Sequence, residues 1–354
     1  MIKKLKSLRE KKWAQILLIP FAFIYGWVIE MRNFCYHWRI FKTISFPVPI
    51  IAIGNITAGG TGKTPFTLFL LELLKSDFGR IVVISRGYGR ESRGVRVVSD
   101  GQGAILRAVE GGDEPVMIAR KCLNVPVIVA ERRSKGIQTA LEKFKPDLIL
   151  LDDAFQHRQV ARNCDIVLIN QHYPLHQAHL LPRGNLREHV RNLSRADMVV
   201  ITNSDGHPET TELKFLNRHF RGEIFTCRNH DDGLVDMWHK QTGDISHLAG
   251  EKAIVFAAIA EPEQFKNLLL AHDIAIADFL AFPDHHAYKK EDLADIYQRA
   301  KSRQCRYIIT TEKDLVKIEK GVFQEINLVA VSLKISMPDM QKFRKYLLRY
   351  IDIN

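Results

Sequence analysis

The residues from Gly54 to Thr64, Gly-Asn-Ile-Thr-Ala-Gly-Gly-Thr-Gly-Lys-Thr, stand between an apolar run, Ile50 to Ile53, and a helix-like segment. A strand that feeds a glycine-rich turn and then a helix can aim several backbone N–H groups at phosphate oxygens, at the positive end of the helix. On this reading Thr57, Ala58, Gly59, Gly60, Thr61, Gly62, Lys63 and Thr64 bind the phosphates of ATP, with Lys63 reaching the β and γ groups and the Thr64 hydroxyl on Mg2+. The pattern G-x-x-x-x-G-K-[ST] is met except at its first position, where Thr57 replaces glycine. Some ninety residues on, Leu148 to Leu151 runs into Asp152-Asp153, an apolar strand ending in carboxylates suited to Mg2+ or its water shell. Ala154-Phe155-Gln156-His157-Arg158 adds polar groups at the same strand end, where open α/β sheets bind ligands.

Other groups carry more than one reading. Gly111-Gly112-Asp113-Glu114-Pro115 places two carboxylates at a helix start, and from the residues alone Asp113 reads best as an N-cap. Pro283-Asp284-His285-His286 offers an acid/base pair near neutral pH or a turn with a capping Asp. Ser85 to Arg90, with the Tyr88 ring, and Leu180 to Glu188, with Arg183 and Arg187, set guanidinium forks beside apolar groups, as phosphosugar and acyl chains require. His172, His176 and His179 have helical metal-ligand spacing, but Pro174 favours a loop. Thr202-Asn203-Ser204-Asp205 resembles a guanine-reading motif without its lysine.

These groups need a scaffold. Short continuous apolar runs at Ile50 to Ile53, Ile81 to Ile84, Val125 to Val129, Leu148 to Leu151, Ile166 to Ile169 and Met198 to Ile201 predict strands buried on both faces of a largely parallel sheet. Helices are expected at Pro65 to Lys75, Glu114 to Cys122 and Arg132 to Phe144, giving a P-loop NTPase-like, doubly wound α/β domain over 43–221. Runs at Ile224 to Cys227, Ala253 to Ile259, Arg306 to Thr310 and Leu328 to Val331 predict a second, smaller α/β domain over 222–335, followed by a helix in 336–354 able to pack on either domain.

The 354 residues, 46% hydrophobic and 26% charged, describe a globular chain rather than a disordered or polytopic one. A net charge of +11 favours acidic partners. Five scattered cysteines (Cys35, Cys122, Cys164, Cys227, Cys305) fit thiols in a reducing cytoplasm better than disulfides or zinc. Residues 1–42 open with Lys3, Lys4, Lys6, Arg9, Lys11 and Lys12 and continue in the apolar stretch Trp13 to Ile29. Gln15, Pro20 and Gly26 interrupt that stretch, and a spanning helix would strand the phosphate loop outside the cell. The reading is an interfacial helix with Trp13, Trp27 and Trp38 at headgroup level and the basic residues on anionic lipid.

In their fixed order, the segments Gly54 to Pro65, Ser85 to Arg90, Gly112 to Pro115, Asp152 to Arg158, Leu180 to Glu188, Phe282 to His286 and Thr310 to Asp314, with the basic-apolar N-terminus, resemble the tetraacyldisaccharide 4'-kinases, the lipid A 4'-kinase family. The resemblance implies transfer of the ATP γ-phosphate to the 4'-hydroxyl of a tetraacylated glucosamine disaccharide 1-phosphate at the cytoplasmic face of the bacterial inner membrane, with no nucleic acid involved. It makes Thr57 the family's own variant of the loop. It carries catalysis over to Asp113 and His285 acting together, with Asp113 taking the hydroxyl proton, and Mg2+ ligation to Asp152 and Asp153. Glu114, Gln156, His157 and Arg183 become polar residues around the active site. Because the expected domains separate Asp113 from His285, the pair is expected to meet only across a cleft that closes. Two other classes remain: a P-loop GTPase switch or metallochaperone, which needs guanine recognition, and a nucleic-acid-stimulated ATPase, which only the net charge favours.

Overall fold

Each predicted apolar run becomes a strand because its side chains are apolar on both faces, and only a covered parallel sheet buries both. The computed structural model describes residues 12–351 apart from 320 and 324, so the basic residues before Lys12 lie outside the described residues. Two compact units divide the chain: Met1–Ile84, Arg133–Asn229 and Ile335–Asn354 form the first, Ser85–Arg132 and His230–Lys334 the second.

In the first unit the strands Ile81–Ser85, Leu148–Leu151, Ile50–Asn55, Cys164–Asn170, Met198–Thr202 and Glu223–Thr226 lie side by side in that order, all parallel. The chain leaves Ile50–Asn55 with Leu148–Leu151 on one side and Cys164–Asn170 on the other, the arrangement in which open sheets bind ligands at the carboxyl ends of their strands. Those ends carry Asn55, Asp152, Asn170 and Thr202, each buried. Helix Lys63–Leu74 buries Phe66, Leu70, Leu71 and Leu74. The closing helix Met340–Ile351 belongs to this unit: Phe343 is fully buried edge-on to Phe66 and Phe225, and Lys342 reaches Glu223 at 2.8 Å.

The second unit contains the parallel neighbours Asn327–Ser336, Tyr307–Thr311, Lys252–Ala257 and Ala275–Ala281, extended past Asn327–Ser336 by Arg228–Val235 and Gln241–Gly243. An antiparallel pair, Arg96–Asp100 with Pro126–Val129, and helix Asp113–Lys121 complete it.

This division departs from the boundaries expected at 43–221 and 222–335. Residues 85–132 group with 230–334, tied by the Lys121 ammonium to Glu312 at 2.8 Å and to the Ser332 hydroxyl at 3.0 Å. Residues 222–229 stay with the first unit because Glu223–Thr226 pairs with Met198–Thr202. Residues 12–42 do not stand apart either; helix Ile19–His37 docks on the first unit through Ala22, Gly26 and Asn33. The Tyr25 hydroxyl donates to the Arg187 carbonyl at 2.7 Å, Glu30 pairs with Arg191 at 2.9 Å, and the Arg158 guanidinium donates to the Asn33 carbonyl at 2.9 Å.

Gly54 sits where a side chain has no room, since a Cβ there would lie 2.5 Å from Phe155 Cβ and 2.7 Å from its amide nitrogen. Gly54→Ala is therefore expected to destabilise the chain by about 1–3 kcal/mol through overpacking. A urea unfolding curve with an unchanged midpoint would show that this strand and Phe155 are free to move apart.

Candidate active site

The expected site residues fall into two groups, one in each unit. In the first, the phosphate loop is held by its carbonyls. The Asn170 amide donates to the Gly60 carbonyl at 2.9 Å, and the Thr202 hydroxyl to the Thr61 carbonyl at 3.1 Å. The Asn55 amide donates to the Thr61 hydroxyl at 3.0 Å. With carbonyl oxygens drawn toward the sheet, the peptide N–H groups of this stretch are left to an anion. Gly62, at φ 75°, turns the loop into helix Lys63–Leu74, whose first turn holds Lys63 and the buried Thr64. The start of the loop is different. Thr57 bridges Leu186 and the Ala58 N–H donates to the Asn185 carbonyl at 2.6 Å, so the Ala58 amide is engaged with protein and is not one of the phosphate donors expected from the sequence.

Asp152 and Asp153 end the Leu148–Leu151 strand. The buried Arg133 guanidinium donates to the Asp152 carbonyl at 3.0 Å and secures that turn. Asp153 has left-handed backbone, φ 47°, a conformation costly for a non-glycine residue and concentrated at functional sites. Its Oδ1 lies 3.6 Å from Lys63 Nζ and 2.9 Å from Arg187 Nη1. Burial would raise the Asp153 carboxyl, but the Lys63 and Arg187 charges outweigh it and hold the group below its ordinary range.

Gln156 donates to the Asn55 carbonyl at 2.8 Å and to Glu188, also at 2.8 Å. Glu188, fully buried, is closed from the other side by Arg195 at 2.6 Å. The His157 carbonyl accepts from Arg162 at 2.8 Å. Arg183 lines a cavity of ≈ 680 Å³ with Phe23, Trp27, Leu180, Leu186 and His189. His176 lies in a single 3-10 turn, Leu175–Gln177, that starts after Pro174, and pairs with Glu212 at 2.7 Å; among the described residues no cluster of three or more His, Cys, Asp or Glu side chains is placed to hold a metal. That does not argue against Mg2+, which needs one or two carboxylates beside phosphate and water oxygens. Thr64, Asp152 and Asp153 supply hard oxygen donors of the right kind.

The second group gathers around Asp113, with no domain boundary to cross: Asp113 and His285 belong to the same unit, against the expectation that they meet across a cleft. Gly112, at φ 86°, holds the N-cap position, so Asp113 is the first residue of its helix and not the cap. His285, itself left-handed at φ 60°, presents Nδ1 at 2.9 Å from Asp113 Oδ2. The Tyr88 ring covers the imidazole, its centroid 5.0 Å away. Lys317 Nζ stands 3.7 Å from Asp113, and Lys313 Nζ lies within 3.2 Å of Glu114 and of Asp284. Burial pushes the Asp113 carboxyl up, but the His285 hydrogen bond and the charges of Lys313 and Lys317 more than offset it and hold the group at about 2.

Arg187, Glu188, Asn170, Lys313 and Lys317 form part of these clusters without having been assigned roles from the sequence. Arg187 and Glu188 had a visible signal in the Leu180 to Glu188 segment and Lys313 in the Thr310 to Asp314 segment. The others are single polar residues whose partners lie far away in the chain.

A carboxyl depressed in the folded state stabilises fully above its unfolded value and loses that stabilisation as pH falls through its folded value. For Asp113 the window runs from about pH 4 down to about pH 2, and a shift of this size is worth on the order of 2 kcal/mol. Asp113→Asn should remove that share of the acid dependence. Equal acid dependence of unfolding free energy in both proteins would mean that Asp113 has no such partners.

A family model described as "Tetraacyldisaccharide-1-P 4'-kinase" matches residues 14–352. The tetraacyldisaccharide 4'-kinase of Syntrophus aciditrophicus is 38% identical over 91% of this chain and 88% of its own length. That of Chlorobium luteolum is 38% identical over 86% of this chain and 87% of its own. A crystal structure of LpxK from Aquifex aeolicus in complex with ATP is similar with a TM-score of 0.79 at 31% identity, covering 95% of this chain and 99% of that one.

Proposed function

The chain belongs to the tetraacyldisaccharide-1-phosphate 4'-kinase family, and from that premise we propose how its residues divide the work of moving the γ-phosphoryl group of ATP to the 4'-hydroxyl of a tetraacylated disaccharide 1-phosphate. The enzyme is a phosphotransferase of lipid A biosynthesis acting on a hydroxyl group. The observation that carries the division of labour is the partly buried Asp113–His285 hydrogen bond, for which a nucleotide-dependent switch has no use. Asn203 in place of the guanine-motif lysine also speaks against such a switch.

The loop amides and Lys63 hold the β and γ phosphates and neutralise charge that spreads over the γ oxygens in the transition state. Mg2+, when bound by Thr64, Asp152 and Asp153, would supply further neutralisation of the phosphate charge. Lys63 and Arg187 both lean on Asp153 and stand ready to exchange that carboxylate for phosphate oxygens. The 4'-oxygen forms its bond to the γ-phosphorus as the bond from that phosphorus to the β,γ-bridging oxygen breaks; ADP leaves with the electron pair. The hydroxyl proton goes to the Asp113–His285 pair. With His285 Nδ1–H donating to Asp113 Oδ2 at 2.9 Å, Nε2 is the atom of the pair left with a lone pair for the hydroxyl proton. Asp113 therefore orients the ring and stabilises its charged form, and His285 Nε2 is the acceptor, a division familiar from carboxylate–histidine pairs.

The lipid side rests on helix Ile19–His37. While Ala22, Gly26 and Asn33 face protein, Phe23 is 75% exposed and Trp27 60%, with Phe21, Ile24, Val28, Met31 and Phe34 also exposed on the same helix. Among the described residues no helix is long and apolar enough to cross a membrane. An apolar face of this extent, on a helix docked by its other side, suits the headgroup boundary of a bilayer, and we assign it to the cytoplasmic face of the inner membrane, where ATP is available.

Transfer of labelled γ-phosphate from ATP to tetraacyldisaccharide 1-phosphate in detergent micelles tests the assignment. Asp113→Ala and His285→Ala should each lower kcat by roughly 10²–10⁴ with ATP affinity unchanged. Parallel loss of ATP binding would make these residues structural. Phe23→Ser with Trp27→Ser should weaken binding to anionic vesicles by roughly tenfold or more, and unaltered vesicle binding would remove this helix from the membrane contact.

A further inference from the structure

Within Thr310 to Asp314 every side chain but Lys313 bonds away from the Asp113–His285 pair. The Thr310 hydroxyl donates to the Phe256 carbonyl at 2.9 Å, and the Thr311 hydroxyl caps the short helix Glu312–Leu315. Glu312 pairs with Lys121 at 2.8 Å. Asp314, fully buried, accepts from the Ala258 amide at 2.9 Å and pairs with Lys317 at 2.9 Å. Lys313 is the residue of this segment that reaches His285, and its neighbours fix its backbone from both sides.

Its ammonium has three N–H donors and three neighbours: Glu114 Oε1 at 3.2 Å, Asp284 Oδ1 at 3.2 Å and His285 Nε2 at 3.1 Å. A lysine ammonium can only donate, so the imidazole nitrogen facing it must present a lone pair. The proton then sits on Nδ1, where it is donated to Asp113. Burial pulls Lys313 down, but the carboxylates of Glu114, Asp113 and Asp284 outweigh it and leave the group raised, so the ammonium keeps all three donors. Asp284 Oδ2 lies 3.8 Å from Nε2, too far to compete as a partner for that nitrogen. A flipped ring would set carbon atoms against both Lys313 and Asp113.

We propose that Lys313 is the positioning residue of the catalytic pair: its ammonium occupies the His285 Nε2 lone pair, fixing the Nδ1–H tautomer and ring orientation, until the acceptor hydroxyl replaces it as the donor to that nitrogen. The exchange costs Lys313 one of three hydrogen bonds, since Glu114 and Asp284 continue to hold it. This rests on the reading of Asp113 and His285 as the proton-accepting pair.

The test uses the full chain in micelles with 15N-labelled histidine, and reads the protonation of the two His285 ring nitrogens by NMR. The wild type should show a protonated Nδ1 and a bare Nε2; a protonated Nε2 overturns the proposal before any variant is made. Lys313→Met should shift the ring toward the Nε2–H form and lower kcat by roughly 10- to 100-fold with little change in the lipid KM. Lys313→Arg, which keeps a cationic donor, should recover part of the loss. An unchanged tautomer in Lys313→Met overturns the role of Lys313 and leaves the pair's assignment standing. If instead Asp113→Ala keeps full turnover, the assignment of the pair fails while the tautomer measurement still reports on Lys313.

Discussion

A parallel sheet covered on both faces tolerates polar side chains only where its strands end. In the first unit Ile50–Asn55, Ile81–Ser85 and Leu148–Leu151 are buried along their whole length, so a charged or amide side chain in mid-strand would lose hydration with no partner in reach. The buried polar residues of this sheet collect at strand ends: Asn55, Ser85, Asn170 and Thr202 at carboxyl ends, with Asp152 following Leu151, and Asp165 at the start of Cys164–Asn170, paired with Arg162. Burial of Asn55, Asn170 and Thr202 is tolerable because each reaches the phosphate loop, Asn55 at the Thr61 hydroxyl and the other two at loop carbonyls. The bonds from Asn55, Asn170 and Thr202 to the phosphate loop are at once the means of satisfying buried amides and hydroxyls and the means of turning loop carbonyls away from an anion. The sheet's stability and its capacity to hold phosphate thus share the same hydrogen bonds.

Around Asp113 the governing problem is charge. Asp113, Glu114 and Asp284 are brought close together, and three carboxylates in a partly desolvated space repel one another unless cations stand among them. Lys313 and Lys317 do this: Lys313 contacts Glu114 and Asp284, and Lys317 contacts Asp113 as well as a fourth carboxylate, Asp314. His285 can then face Asp113 as a hydrogen-bond donor without having to be the main counter-charge. A pair freed from that duty can gain or lose a proton while the charge balance of the lysines and carboxylates around it stays in place.

Much of this was legible in the residues. Continuous apolar runs identified the parallel strands because burial on both faces leaves an unmistakable pattern, and the Gly-Lys-Thr turn fell on the expected strand-to-helix junction. Arg96–Asp100 and Gln241–Gly243 were missed because their side chains are mixed or exposed and carry no such run. The domain boundaries were misjudged for a different reason. The tie that groups residues 85–132 with 230–334 is a lysine meeting a glutamate nearly two hundred residues later, and nothing local at Lys121 announces Glu312. The same holds for Arg187 on Asp153 and Asn170 on Gly60. Catalytic residue types are visible in a sequence; the partners that set their geometry are visible only when the chain has folded.

Helix Ile19–His37 shows how one segment can satisfy two solvents. Its docking face is built from small or polar residues at helical spacing, Ala22, Gly26, Glu30 and Asn33, because a close approach to the Leu180–His189 region leaves no space for more. At Gly26 a Cβ would come within 2.8 Å of Leu180 and 3.0 Å of His189. In water such a helix is unusual, since its bulky apolar residues point outward and its polar ones inward. The inversion follows if the outer face meets lipid: packing there comes from acyl chains, and the inner hydrogen bonds of Tyr25, Glu30 and Asn33 hold a surface that hydrophobic burial within the protein does not secure. Because Tyr25 bonds to the carbonyl of Arg187, whose guanidinium rests on Asp153, the helix with the exposed apolar face and the carboxylate beside the phosphate loop are anchored to the same residue.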